Sequence, residues 1–181
     1  CGILDAWFIS RLGNAASGAV GIAFAVMALI QAIGYTLGTG AGSLISRALG
    51  AGDRRSAGFF AALAFYLSLA LGGLVALGGL CFTGPIIRFL GASEGIYPYA
   101  RAYAAFLFPA APLMCGVFVL NNLLRAEGQV RFAMFGTVAG NLVNVALDPL
   151  LLFRAEMGVG GAALALLISQ AVSFLLLLGR Y

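Results

Sequence analysis

Charged positions are sparse along this chain and fall in clusters, and the stretches between them are almost wholly apolar. Leu12 to Ser46 runs 35 residues without a charge, Ser56 to Ile87 runs 32, and Ala102 to Leu124 and Met157 to Gly179 run 23 each. Phe132 to Phe153 runs 22 residues, interrupted only by Asp148. A helix needs about 20 apolar residues to cross a bilayer, so each stretch is long enough. Barrel strands would show about ten residues of alternating polarity, and no stretch does. The pattern predicts an all-α, polytopic bundle of about six transmembrane helices. The spans fall at about 1–13 (a truncated first helix), 16–46, 57–83, 102–124, 132–153 and 159–180.

The connections are short and polar. Gly50-Ala51-Gly52-Asp53-Arg54-Arg55 and Arg125-Ala126-Glu127-Gly128-Gln129-Val130-Arg131 read as turns, the second with local charge pairing. The longest connection, Gly84 to Arg101, mixes Pro85, Arg88 and Pro98 with Ile86, Ile87 and Phe89, the composition of a short interfacial helix. Arginines on alternate sides set the topology. Arg47, Arg54, Arg55, Arg125, Arg131 and Arg180 outnumber Arg11, Arg88, Arg101 and Arg154, which puts the first set in the cytoplasm.

Composition narrows the function classes. Hydrophobic residues make up 62% of the 181 and charged residues 9%, too few to keep a folded domain in water. All ten basic residues are arginines, scattered rather than gathered, so the net charge of +4 reads as membrane topology and no nucleic-acid partner is expected. With no histidine there is no His-based triad or imidazole metal site. Cys1, Cys81 and Cys115 lack metal or disulfide spacing. No nucleophile–base pair is apparent, so an enzyme is not expected and no cofactor is called for. The chain opens on Cys1, within what already reads as the end of an apolar element, so it is expected to be part of a longer protein.

Glycine is abundant, at 26 residues. Gly34, Gly38 and Gly42, continued by Ser46 and Gly50, form a row four apart that reads as a smooth face for close helix packing. Gly72-Gly73 and Gly78-Gly79 read the same way.

The strongest chemical signal is Gly140-Asn141-Leu142-Val143-Asn144-Val145-Ala146-Leu147-Asp148-Pro149. Asn144 and Asp148, four apart, share one helix face, and Gly136 and Gly140 continue that row. A charge at mid-membrane costs at least ~2.5–3.5 kcal/mol, so a carboxylate there either carries a function or is satisfied by a neighbouring helix. Pro149 disfavours helical geometry at Asp148 and removes the donor for the Val145 carbonyl, predicting a kink and a freed oxygen. Carboxylate, amide and carbonyl oxygens together would suit Na⁺, and a desolvated carboxylate would carry H⁺. Asp5 is the second intramembrane acid. It lies eight residues before Gly13, about 12 Å of helix, while Asp148 lies about 8 Å before Phe153, so the two sit at similar depth in the outer half. Gln31, Asn121, Asn122 and Gln170 read as cavity-lining or interhelical bonding residues, the second being the commoner case.

Together these residues resemble the multidrug and toxic compound extrusion (MATE) family. The likeness rests on the early Asp followed by Arg11-Leu12-Gly13, on Ser46-Arg47-Ala48-Leu49-Gly50-Ala51-Gly52-Asp53 and on Leu124-Arg125-Ala126-Glu127-Gly128. Asn144-Val145-Ala146-Leu147-Asp148-Pro149-Leu150 and Gly158-Val159-Gly160-Gly161-Ala162-Ala163-Leu164-Ala165 complete it. The resemblance implies a twelve-helix antiporter of two six-helix lobes in the cell membrane. Residues 1–181 would be the amino-terminal lobe, and the carboxy-terminal lobe would be its missing partner. It implies export of cationic and amphipathic drugs by alternating access, driven by H⁺ or Na⁺, with Asp5, Asn144 and Asp148 in cation coupling. Asn121 and Asn141 would line the substrate cavity. The family often has Thr where this chain has Leu166, which removes a hydroxyl ligand and puts H⁺ ahead of Na⁺. The alternative within the wider superfamily is a lipid-linked sugar flippase, whose cavity should carry more cationic residues.

Overall fold

The computed structural model of the chain describes residues 14–151 and 158–180. Among them are six helices: α1 (Asn14–Gly50), α2 (Arg54–Cys81), α3 (Thr83–Phe89), α4 (Tyr97–Ala126), α5 (Val130–Pro149) and α6 (Gly158–Leu178). All but α3 are long and apolar enough to cross a membrane. They fall on the charge-free stretches, and α1 and α4 run a few residues past theirs, with Arg47 and Arg125 in their last turns. The stub at 1–13 and residues 152–157 lie outside the described residues. The short helix expected between Gly84 and Arg101 is α3, and its Arg88 lies 5.4 Å from the Tyr97 ring centroid.

Two turns on the arginine-rich side close in the same way. After α1, the Gly52 N–H donates to the Leu49 carbonyl (3.0 Å) and the Asp53 N–H to the Ala48 carbonyl (2.9 Å). After α4, Gly128 donates to Arg125 (3.0 Å) and Gln129 to Leu124 (2.7 Å). This paired closure needs a left-handed residue, and Gly52 (φ +76°) and Gly128 (φ +82°) supply it. Asp53 then caps α2, its side chain accepting the Ser56 N–H at 3.0 Å. The hydroxyl and backbone bonds from Ser56 hold the exposed Asp53 carboxyl below its ordinary value.

The bundle is organised around α4. Of the most apolar stretch of α4, 67% is buried, against 22–44% for the other spans, because α1, α2, α5 and α6 all pack on it. In a bilayer, lipid is as apolar as leucine, so helices associate by close packing and polar contacts rather than by escaping water. Glycines supply the closeness. A Cβ at Gly34 would meet the Cys115 Cα at 3.1 Å, one at Gly38 the Phe118 carbonyl at 3.1 Å, and one at Gly72 the Pro112 Cα at 2.5 Å. The row expected at Gly34, Gly38, Gly42, Ser46 and Gly50 holds only at its start. A step of four residues advances 400°, so a strict row drifts off a straight interface by about 40° per step. The buried seam instead follows Gly34, Gly38, Ala41 and Ile45, and Ser46 and Gly50 are exposed. Of the glycine pairs on α2, Gly72 and Gly79 face α4, while Gly73 and Gly78 look into open space.

Candidate functional site

α5 buries one narrow stripe: Ala133, Gly136, Gly140, Asn144 and Asp148. The opposite side carries Met134, Phe135, Val138 and Leu142, each at least half exposed and suited to lipid. The stripe packs on α6. A Cβ at Gly136 would lie 2.5 Å from the Leu177 side chain, and one at Gly140 would overlap the Ser173 hydroxyl and lie 2.9 Å from the Ser169 carbonyl. The Ser173 hydroxyl donates to the Gly136 carbonyl at 3.2 Å, fastening the two helices. This close seam encloses the polar end of the stripe, where Asn144 is 1% and Asp148 0% exposed.

The pair expected from its spacing therefore forms. Asn144 Nδ2 donates to Asp148 Oδ1 at 3.3 Å. Asn144 Oδ1 is enclosed and accepts no hydrogen bond from the described residues. An enclosed acceptor without a donor costs about 1–3 kcal/mol, a cost that a proton donor or a cation at that oxygen would remove. Pro149 was expected to kink the helix at Asp148, which itself stays in helical geometry. α5 runs on through Pro149, and the turn widens to the π type at residues 150 and 151. Widening relieves the proline ring without forcing Asp148 out of helical geometry. Asp5 lies outside the described residues.

One turn away the stripe meets a cavity of about 440 Å³ between α1, α4, α5 and α6. Asn121 and Asn141, both expected there, line it, as do Gln31, Asn122 and Gln170. Asn121 also makes the interhelical bonds that were the commoner expectation, donating through Nδ2 to the Ala133 carbonyl (3.0 Å) and to Thr137 Oγ1 (2.7 Å). Asn122 instead donates to its own helix, at Phe118 (2.9 Å). Aromatic and thioether groups complete the walls: Phe24, Met27 and Tyr35 from α1, and Met114 and Phe118 from α4. Leu166 also lines it.

Arg125 was read as part of a turn, yet it occupies the last turn of α4 and lines the same cavity. The signal was present in the helical spacing of Met114, Val117, Phe118, Asn121, Asn122 and Arg125, all on one face. Thr137 was missed because a lone threonine in an apolar helix carries no pattern.

The comparisons agree with this architecture. The MatE family model matches residues 1–150. The multidrug export protein MepA of Staphylococcus saprophyticus is 33% identical over 175 residues, covering 96% of this chain and 39% of its own length. MepA of Staphylococcus aureus (strain MRSA252) is 34% identical with the same coverage. Among solved structures, the inward-facing form of a multidrug resistance MATE transporter of the MOP superfamily matches at TM-score 0.93 and 34% identity, over 97% of this chain and 40% of that one. A MOP superfamily transporter from Pyrococcus furiosus, described as having a binding pocket of reversed polarity, matches at 0.91 and 34%, over 97% and 39%. The chain thus spans about 40% of the length of these relatives. Its bilayer-length helices and these relatives make it a multi-pass protein of the cell membrane. From the family match over most of its length, and from relatives a third identical along nearly all of it, the chain belongs to the MATE family of multidrug transporters.

Proposed function

We propose that the chain is the amino-terminal six-helix lobe of a twelve-helix antiporter that expels organic cations and amphipathic drugs in exchange for inward H⁺ or Na⁺. The observation that carries this reading is the Asn144–Asp148 pair, enclosed at the end of the α5 stripe and one turn from a polar, aromatic-walled cavity. Relatives named as multidrug export proteins support the drug. A lipid-linked sugar flippase is not favoured, since among the described residues a single arginine lines the cavity where a pyrophosphate would call for several.

In this mechanism Asp148 and Asp5 are the charge that the ion cancels. H⁺ adds to a carboxylate, or Na⁺ draws on the carboxylates and the Asn144 Oδ1. With the charge neutralised, the cost of enclosing it falls, and the lobe settles into the form that releases drug outward. Loss of the ion to the cytoplasm restores the charge and the inward form. The ion acts only through the difference in its affinity for the two forms. The absence of a hydroxyl at Leu166 leaves H⁺ the simpler ion.

The test is dye efflux by the complete transporter in vesicles under an imposed pH or Na⁺ gradient. Wild type should drive efflux with one of the two gradients, and Asp5→Asn and Asp148→Asn should each abolish it. Intact gradient-driven efflux in both variants would overturn the coupling assignment, and no efflux by wild type under either gradient would overturn the antiporter.

A further inference from the structure

A second cavity, of about 690 Å³, lies on the other flank of α1. Phe24, Met27 and Gln31 line the polar cavity, whereas Ala25, Val26 and Leu29 line this one. Its far walls are Gly78 on α2, Ile86 and Phe89 on α3, and Phe108 on α4. Every lining side chain among the described residues is apolar. The two adjacent glycines of α2 explain the shape. A Cβ at Gly79 would overlap the Phe108 ring, so α2 closes on α4 there. A Cβ at Gly78 would meet nothing within 4 Å, so the space beside it stays open as a groove.

The depth of the groove follows from its helices. Gly78 lies three residues before the end of α2, about 5 Å of helix, on the arginine-poor side. α3 crosses the outer end of the groove and marks the headgroup level, since its Arg88 lies 5.4 Å from the Tyr97 ring centroid. Ile87 of α3 is buried in the bundle, while Phe89 is left 91% exposed at the mouth of the groove. The groove therefore begins at the headgroups and runs inward among the acyl chains.

Two occupants suit an apolar groove at this depth, a further helix and a lipid chain. A helix is about 10 Å across, so less than about two turns of one would fill 690 Å³. Helices in a bilayer also meet through rows of small residues or polar bonds. The residue one turn before Gly78 is Leu74, 64% exposed, and Leu29 across the groove is 61% exposed. These bulky side chains hold a helix off and leave a thin, flexible chain free to enter.

We propose that this groove binds one acyl chain of an outer-leaflet phospholipid, with the phosphate at the level of Arg88. Bound there, the chain fills the space that Gly78 leaves open and ties α3 to α1 and α2. The inference is independent of which ion or drug the transporter carries.

The experiment reconstitutes the purified complete transporter in vesicles of phosphatidylethanolamine and phosphatidylglycerol, with a trace of phosphatidylglycerol carrying a diazirine in its acyl chain. After irradiation, adducts are located by tandem mass spectrometry. In wild type they should concentrate on Leu29, Ile86 and Phe89 and be sparse at Leu80, which is 47% exposed near the same end of α2 but outside the groove. Gly78→Leu puts a side chain into the open space and should remove most adducts from the groove while leaving Leu80 unchanged. Ala25→Phe fills the groove from the opposite wall and should do the same. Gly73→Leu is the control. Its Cβ also meets nothing within 4 Å, but it lies outside the groove, so it should label as wild type does. Groove labelling no heavier than that of Leu80 would overturn the assignment, as would labelling that survives both Gly78→Leu and Ala25→Phe. An unlabelled groove would overturn it too, and would mean that another part of the complete transporter covers these residues.

Discussion

Replacing Gly140 with alanine puts a single methyl group at the tightest point of the α5–α6 seam. The new Cβ would overlap the Ser173 hydroxyl and lie 3.0 Å from the Ser173 Cβ and 2.9 Å from the Ser169 carbonyl. The hydroxyl can rotate away, at the loss of its bond to the Gly136 carbonyl. The Cβ and the carbonyl are fixed to the α6 backbone, so the helices must part by a few tenths of an ångström. Overpacking of this kind costs about 1–3 kcal/mol. The loss of a flexible glycine from a helix returns about 0.5–1 kcal/mol. Gly40→Ala on α1 isolates that second effect, because nothing lies within 4 Å of a Cβ there. Thermal unfolding of the complete transporter in detergent should therefore place Gly140→Ala below wild type and Gly40→Ala at or above it. The gap between the two variants measures the overpacking. Adding Ser173→Gly to Gly140→Ala should recover part of the loss, since it removes the hydroxyl and the Cβ but not the Ser169 carbonyl. If Gly140→Ala melts no lower than Gly40→Ala, the seam is not closed by glycine and the enclosure of Asn144 and Asp148 needs another explanation.

Two further outcomes follow from the loops and the cysteines. The Asp53 carboxyl is held below its ordinary value of 3.8 by Ser56, so the cap contributes fully above that pH and its contribution is lost as pH falls through the lower folded value. Asp53→Asn keeps an acceptor at the cap but does not titrate, so the difference in melting temperature between wild type and this variant should be constant above pH 3.8 and change only below it. Cys81 is exposed at the far end of α2 and Cys115 is buried. In a Cys1→Ser background, a membrane-impermeant maleimide applied to intact cells should label Cys81 and spare Cys115 until denaturation. Labelling of Cys81 only after permeabilisation would invert the topology set by the arginines.

The spans were legible because a charge inside a bilayer is so costly that its absence over 20 residues marks a helix by itself. The Asn144–Asp148 pair was legible for the same reason, helped by a spacing that leaves the two residues one shared face. Three features needed the third dimension. The glycine row on α1 follows the interface only while its drift is small, so Gly34 and Gly38 pack and Gly50 does not. The effect of Pro149 depends on whether the backbone breaks or widens, and the local sequence permits both. The cavity depends on which faces of four helices converge, and no single helix reveals that. Arg125 shows the difficulty best, since a residue at the end of a span reads as loop until the neighbouring helices define an inside.

The burial of α4 bears on how the lobe is made. During synthesis α1 and α2 enter the membrane before α4, carrying the surfaces at Gly34, Gly38, Gly72 and Gly79 that fit Cys115, Phe118, Pro112 and Phe108. Until α4 leaves the ribosome those surfaces face lipid or each other. α4 is thus the piece on which assembly waits, and it arrives with Pro109 and Pro112 already interrupting its own hydrogen-bond ladder. A chain interrupted within α4 leaves α1 and α2 inserted without the helix on which both pack.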